Sequence, residues 1–167
     1  LVRDGALRLR GRGAPDERLV LTAIGAYQLE AVLCASDALS EARVPHAVVY
    51  LLEPGRFRAA RDGMEAAALA PDVRAALYPG TADARVFVTH TRPEPMLGLV
   101  RPLDTGPPLT RALGFRNRGG TLDVRGMLLA NGCTARHVLG AALEVLDLDP
   151  APFAAALAAP AAAVQPS

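Results

Sequence analysis

The chain has 167 residues, the size of one domain, and 51% of them are hydrophobic, which is ample for a single core filled by Ala, Leu and Val. Its 18 basic residues, every one an arginine, face 17 acidic ones for a net charge of +1, and aromatics are only 4%, so the basic excess and aromatic interleaving of a nucleic-acid binder are missing. The absence of lysine excludes a lysine Schiff base and a P-loop, and with the heavy use of Ala, Pro and Gly it points to a GC-rich genome.

Residues 1–17 are Arg- and Gly-rich without a sustained period, and they predict a linker or ragged domain start. "RLVLTAIG" is a continuous apolar strand, Leu19 to Ile24, ending in Gly25. "AYQLEAVLCASDALSEARV" follows with Leu29, Val32, Leu33 and Leu39 at helical spacing. After Pro45, "HAVVYLLE" is a second buried strand, Ala47 to Leu52, so strand, helix and strand form a βαβ unit of a parallel sheet. "PGRFRAARDG" predicts a loop, and "MEAAALA" and "PDVRAALYPG" one or two short helices. "ARVFVTH" supplies a third strand, Arg85 to Thr89, and Pro93 and Pro95 open a short helix. "LTRALGF" suits a strand or a short helix, and Thr121 to Leu128 a turn into a short strand.

The stretch "LDVRGMLLANGCTARHVL", Leu122 to Leu139, has the residue types of an active-site loop and equally those of a strand, a turn and a capped helix. Gly132 fits the turn, Thr134 the N-cap of "ARHVLGAALEVL", and Val124, Leu128 and Val138 the core. Arg125 needs a partner, which Asp123 on the same strand face would supply. The tail 150–167 is Ala/Pro low complexity and is expected to fray.

Among residues with chemistry to offer, His90 ends a parallel strand, where ligands of open α/β sheets collect, beside Thr89, Thr91 and Arg92. A loop cap or an interface is the competing use of His90. His46, opening its strand, reads as solvated, and His137 as a surface or interface residue. Gly25 lies between strand and helix, where an anion could sit, but "GAYQLE" lacks the Rossmann glycine pattern and a tight turn suffices. Cys34 and Cys133 form no CxxC pair, so no disulfide framework or zinc site is expected. No run of eighteen apolar residues lacks charge and Pro, and no signal peptide opens the chain, so a soluble, cytoplasmic protein without membrane contact is expected. Spacing alone therefore leads to no catalytic residue, no metal cluster and no cofactor motif.

The order "RLVLTAIGAYQLEAVLCASDAL", "HAVVYLLEP", "ARVFVTH" and a final Gly-x-Thr with its helix resembles the C-terminal domain of the transketolase and phosphoketolase group of thiamine-diphosphate enzymes, over Arg18 to Leu148. Gly25, Leu29 and Glu30 match that group's first strand and helix start. "VFVTH" and "LDVRG" are similar to phosphoketolase segments, the second to "HVRG", whereas "GCTARHVLGAALEVL" is similar to the transketolase ending. The phosphoketolase run of the type "GTTTTPFDM" is missing, which brings the chain nearer a divergent subgroup assigned as xylulose 5-phosphate 3-epimerases.

The resemblance implies a Rossmann-like α/β domain over 18–149, with a mostly parallel sheet and helices on both faces. It further implies action on ketose phosphates by a larger enzyme, with this domain serving assembly. Thiamine diphosphate and Mg would belong to partner domains or a partner subunit, because the group's Gly-Asp-Gly metal motif and catalytic Glu have no counterpart here. The full enzyme would be a homodimer, and His90, Arg92, Arg125 and His137 would lie at an active-site edge or interface. From another class, a non-catalytic interaction or regulatory module, taking a partner or small anion at the strand ends, also fits.

Overall fold

The computed structural model describes residues 4–61, 63, 65–116 and 120–159. In chain order the elements are β1 (Ala6–Arg10), β2 (Leu19–Ile24), α1 (Ala26–Glu41), β3 (His46–Leu51), α2 (Pro71–Leu77), β4 (Ala84–Thr89), α3 (Pro93–Leu99), β5 (Thr110–Leu113), α4 (Val124–Ala130), α5 (Ala135–Leu146) and α6 (Ala154–Ala158). The sheet runs β1-β3-β2-β4-β5. Strands β3, β2, β4 and β5 are parallel, with Leu21 opposite both Val48 and Val86, and β1 is antiparallel at the edge. The fold is therefore the expected mostly parallel α/β sheet.

Alternation along the strands sends side chains into two cores. Leu19, Leu21, Val86 and Val88 pack with Val32 and Leu39 of α1 and Val138 and Leu139 of α5. Val20, Val49 and Phe87 face the other way, toward Met96 of α3, Tyr78, and Phe57 from a 3-10 turn at Pro54–Phe57. Helices thus cover both faces, and β2 and β4 are buried at every position because neither face meets water.

Several expectations are corrected. Ala6–Arg10, placed in a linker or domain start, is edge strand β1, tied down by Arg8 donating to the Ala76 and Leu77 carbonyls at 2.6 and 2.9 Å and by Arg10 to Asp37 at 2.6 Å. The tail does not fray through residue 158: a 3-10 turn at Ala151–Phe153 buries Phe153 and leads into α6, while 160–167 lie outside the described residues. His46 is buried, not solvated, with Nδ1–H donating to Val44 O at 2.7 Å and Nε2 2.6 Å from Ser36 Oγ. The stretch Thr121 to Leu128 forms no strand. Asp123 caps helix α4 instead, its carboxylate accepting Gly126 N–H at 2.7 Å. Asp123 is therefore a helix cap in place of the expected same-face strand partner of Arg125, which is exposed, and Val124, expected in the core, is 37% exposed.

Candidate functional site

Between β2 and β4 the order in which strands are added reverses: β3 lies on one side of β2, and β4 on the other. In open α/β sheets this switch point leaves a crevice at the carboxyl ends of the strands. Here the crevice is a cavity of about 230 Å³, bounded by Thr89 and His90 at the end of β4, Tyr27 and Gln28 at the start of α1, and Met127 and Leu128 of α4. Phe115, Leu122, Val124, Asn131 and Cys133 complete it.

Gly25 makes the turn from β2 into α1. Its φ of +115° suits glycine alone, and a Cβ there would run into Gln28 Oε1 and come within 3.1 Å of His90 Nδ1. The missing Cβ lets these two side chains close over the turn. His90 Nδ1–H donates to Ile24 O at 3.0 Å, which leaves Nε2 without a partner among the described residues. Gln28 is only 6% exposed, and none of its side-chain atoms has a hydrogen-bond partner among the described residues. Asn131 is occupied: Oδ1 accepts Arg116 N–H at 2.7 Å and Nδ2 donates to Met127 O at 2.8 Å. Burial pushes the Cys133 thiol up to about 11, the Arg116 charge opposing it.

A second groove, of about 460 Å³, lies beside edge strand β5 and is lined by Arg111, Arg116, Arg136 and His137. Arg111 is already paired to Glu144 at 2.6 Å. His137 Nδ1 lies 2.7 Å from Thr134 Oγ1, so Thr134 holds the N-cap position without the expected side-chain bond to a backbone N–H. Burial, and then the Arg136 charge, lower the His137 pKa.

The four site residues expected from sequence are thus divided. His90 lies in the switch-point cavity and His137 in the second groove, while Arg92, exposed at the N-cap of α3, and Arg125, exposed on α4, line neither. Sequence reasoning missed Gln28. Its signal was a polar residue on the buried side of α1, one turn beyond the strand-ending glycine.

Comparison with known proteins locates the fold. No protein-family model matches the chain, and no curated protein matches its sequence. Among solved structures, transketolase from Campylobacter jejuni subsp. jejuni NCTC 11168 is similar with a TM-score of 0.58 and 13% identity, over 84% of this chain and 18% of that one. A split-gene transketolase, an inactive β4 tetramer, is similar with a TM-score of 0.52 and 16% identity, over 86% of this chain and 41% of that one. The fold is transketolase-like. It fits the C-terminal-domain fold expected from the resemblance, and the chain spans well under half the length of either transketolase.

A thiamine-diphosphate site needs hard oxygen ligands for its Mg, and the residues present do not fit one. Among the described residues the wall of the switch-point cavity carries no carboxylate, and no group of three or more His, Cys, Asp or Glu could hold a metal ion. No helix among them is long and apolar enough to cross a membrane.

Proposed function

We propose that the chain is the C-terminal domain, or a separate small subunit, of a thiamine-diphosphate-dependent transketolase-like enzyme acting on ketose phosphates, and that its role there is structural. The supporting observation is the disproportion in coverage: about six sevenths of this chain takes a transketolase-like fold, against 18% and 41% of the two transketolase chains. The similar split-gene transketolase, inactive as a β4 tetramer, offers a precedent for a transketolase chain that assembles without activity.

On this reading the coenzyme and Mg bind in partner domains or a partner subunit, and a cytoplasmic homodimer forms the full enzyme. This chain contributes no reacting group. It contributes a rigid sheet buried on both faces, with Arg92 and Arg125 exposed outside both grooves as interface contacts. The phosphoketolase and epimerase assignments are narrower versions of the same reading and share its ketose phosphate substrates.

Affinity purification of the tagged chain from its native source tests the proposal. The expected companion is a polypeptide carrying a Gly-Asp-Gly motif, from which denaturation releases thiamine diphosphate. A chain recovered alone, or with companions that release no thiamine, sinks it. The isolated chain, titrated calorimetrically with thiamine diphosphate and Mg, is expected to give no heat of binding.

A further inference from the structure

We propose that the switch-point cavity binds a small carboxylate carrying an apolar group, with the carboxylate at the N-terminus of α1 and the apolar group against α4. The site belongs to this chain alone and needs nothing from the catalytic domains proposed above.

Three observations converge. Helix α1, sixteen residues long, opens with a glycine that gives no side-chain cap and has no acid in its first turn. The N–H groups of Ala26, Tyr27 and Gln28 therefore have no acceptor among the described residues, at the end of the helix where the backbone dipole favours a negative charge. Gln28, only 6% exposed, then places on the same cavity wall a side-chain amide that has no hydrogen-bond partner among the described residues. With the Gln28 amide turned so that its NH₂, in place of the Oε1 that lies over Gly25, faces the helix start, one acceptor atom in the cavity would satisfy both the amide and the helix N–H groups. Finally, glycine at position 25 is required for Gln28 and His90 to close over the turn, which makes the arrangement a built one.

The rest of the wall decides the ligand. Among the described residues it carries no carboxylate to repel an anion and no arginine to hold a phosphate dianion, and most of it is apolar: Phe115, Leu122, Val124, Met127 and Leu128. Phosphate recognition favours arginine clusters, whereas one singly charged carboxylate matches a helix end and one amide. The volume of about 230 Å³ is below the range of roughly 300–1,000 Å³ typical of drug-sized ligands, so the apolar group is a short branched chain or a single ring. His90 Nε2, without a partner among the described residues, can accept from a hydroxyl or amine on the same ligand.

A small metabolite and the free C-terminus of a peptide ending in leucine share this chemistry. The full chain, labelled with ¹⁵N, is titrated with 4-methylpentanoate and its neutral amide, and in parallel with an acetylated Gly-Gly-Leu peptide and its C-terminal amide. Saturable shifts of the Ala26, Tyr27 and Gln28 amides are expected with an acid and not with its amide, the affinities differing by about tenfold or more. Binding of 4-methylpentanoate assigns the site to a metabolite, and binding of the peptide acid alone assigns it to a partner's C-terminus; both support the site. Gln28→Leu is expected to weaken binding about tenfold. Because Gln28 is buried, Leu122→Asp at a residue 44% exposed gives a second variant that leaves packing alone and sets a charge on the apolar wall, and it is expected to abolish binding. Acid and amide binding equally, shifts that never saturate, or unchanged affinity in Leu122→Asp would overturn the proposal.

Discussion

His46 and Glu17 are buried ionisable groups held in opposite ways, and both make the fold sensitive to acid. Burial lowers the His46 pKa below its ordinary 6.5, the Val44 bond opposes this, and Arg10 lowers it further. The imidazole is therefore neutral in the fold and accepts from Ser36. Its contribution is fully present above the unfolded pKa and is lost as pH falls below it toward the folded one; His137 acts in the same sense. Glu17, 5% exposed, is pushed up by burial, but the backbone N–H groups of Arg12, Gly13 and Ala14 and the charge of Arg8 bring it below 4.5 overall. Its contribution holds above its unfolded pKa and disappears as pH falls through the folded value. The denaturation midpoint should thus decline from about pH 6.5 and again below about pH 4.5. His46→Gln should flatten the first decline, and an unchanged slope between about pH 7 and 5 would rule out this assignment. Arg85 is the opposite case. It is 4% exposed, donates to Pro79 O at 3.1 Å, lies 5.6 Å from the Tyr78 ring centroid, and its Nε and Nη1 have no acceptor among the described residues. A buried charge so poorly satisfied costs more than it returns, so Arg85→Met should leave stability unchanged or raise it by roughly 1 kcal/mol or more in urea denaturation. A loss above about 2 kcal/mol would mean that an unseen partner satisfies the guanidinium.

Element by element, legibility followed burial on both faces. β2, β3 and β4 are apolar at nearly every position because helices cover them above and below, and so their runs and the 3.6 period of α1 and α5 could be read directly. Edge strand β1 could not, because "ALRLR" is set by cross-strand pairing and by arginines that reach α1 and α2, contacts without a local signature. Helix α4 was misread for a related reason: seven residues are too few to show a period, and none is buried. What fixes α4 is its cap, since Asp123 satisfies one of the four N–H groups that a helix start leaves open. Asp123→Ala should cost about 1 kcal/mol by denaturant melting. Arg125→Ala, two positions on and exposed, should stay within about 0.5 kcal/mol. Equal losses from the two would restore the ion pair expected from the sequence.

At the scale of the molecule, the switch point follows from strand order, which no single segment encodes. His90 could be placed there from the parallel-sheet expectation, since any strand end after a βαβ unit lies on the ligand side. Gln28 could not, because its place on the cavity wall exists only once Gly25 has turned the chain and α4 has closed the opposite wall. The two cysteines report whether that closed arrangement persists in solution. Cys34 is exposed on α1, and although burial of its sulfur, then Asp37 and Glu30, raise its pKa, reagent can reach it. Cys133, 2% exposed between α4 and α5, is both shielded and held up to about 11 by burial, which keeps it from the reactive thiolate form. With a disulfide reagent near pH 8, one thiol should react at once and the second only as fast as the region between α4 and α5 opens. Raising urea well below the main transition should then speed the slow phase if opening is global, with the steep dependence of whole-chain unfolding, and barely change it if α4 alone lifts away. Two equally fast thiols in native buffer would show instead that α4 does not wall the cavity in solution, and the Cys34→Ser variant, carrying Cys133 alone, assigns the slow phase without ambiguity.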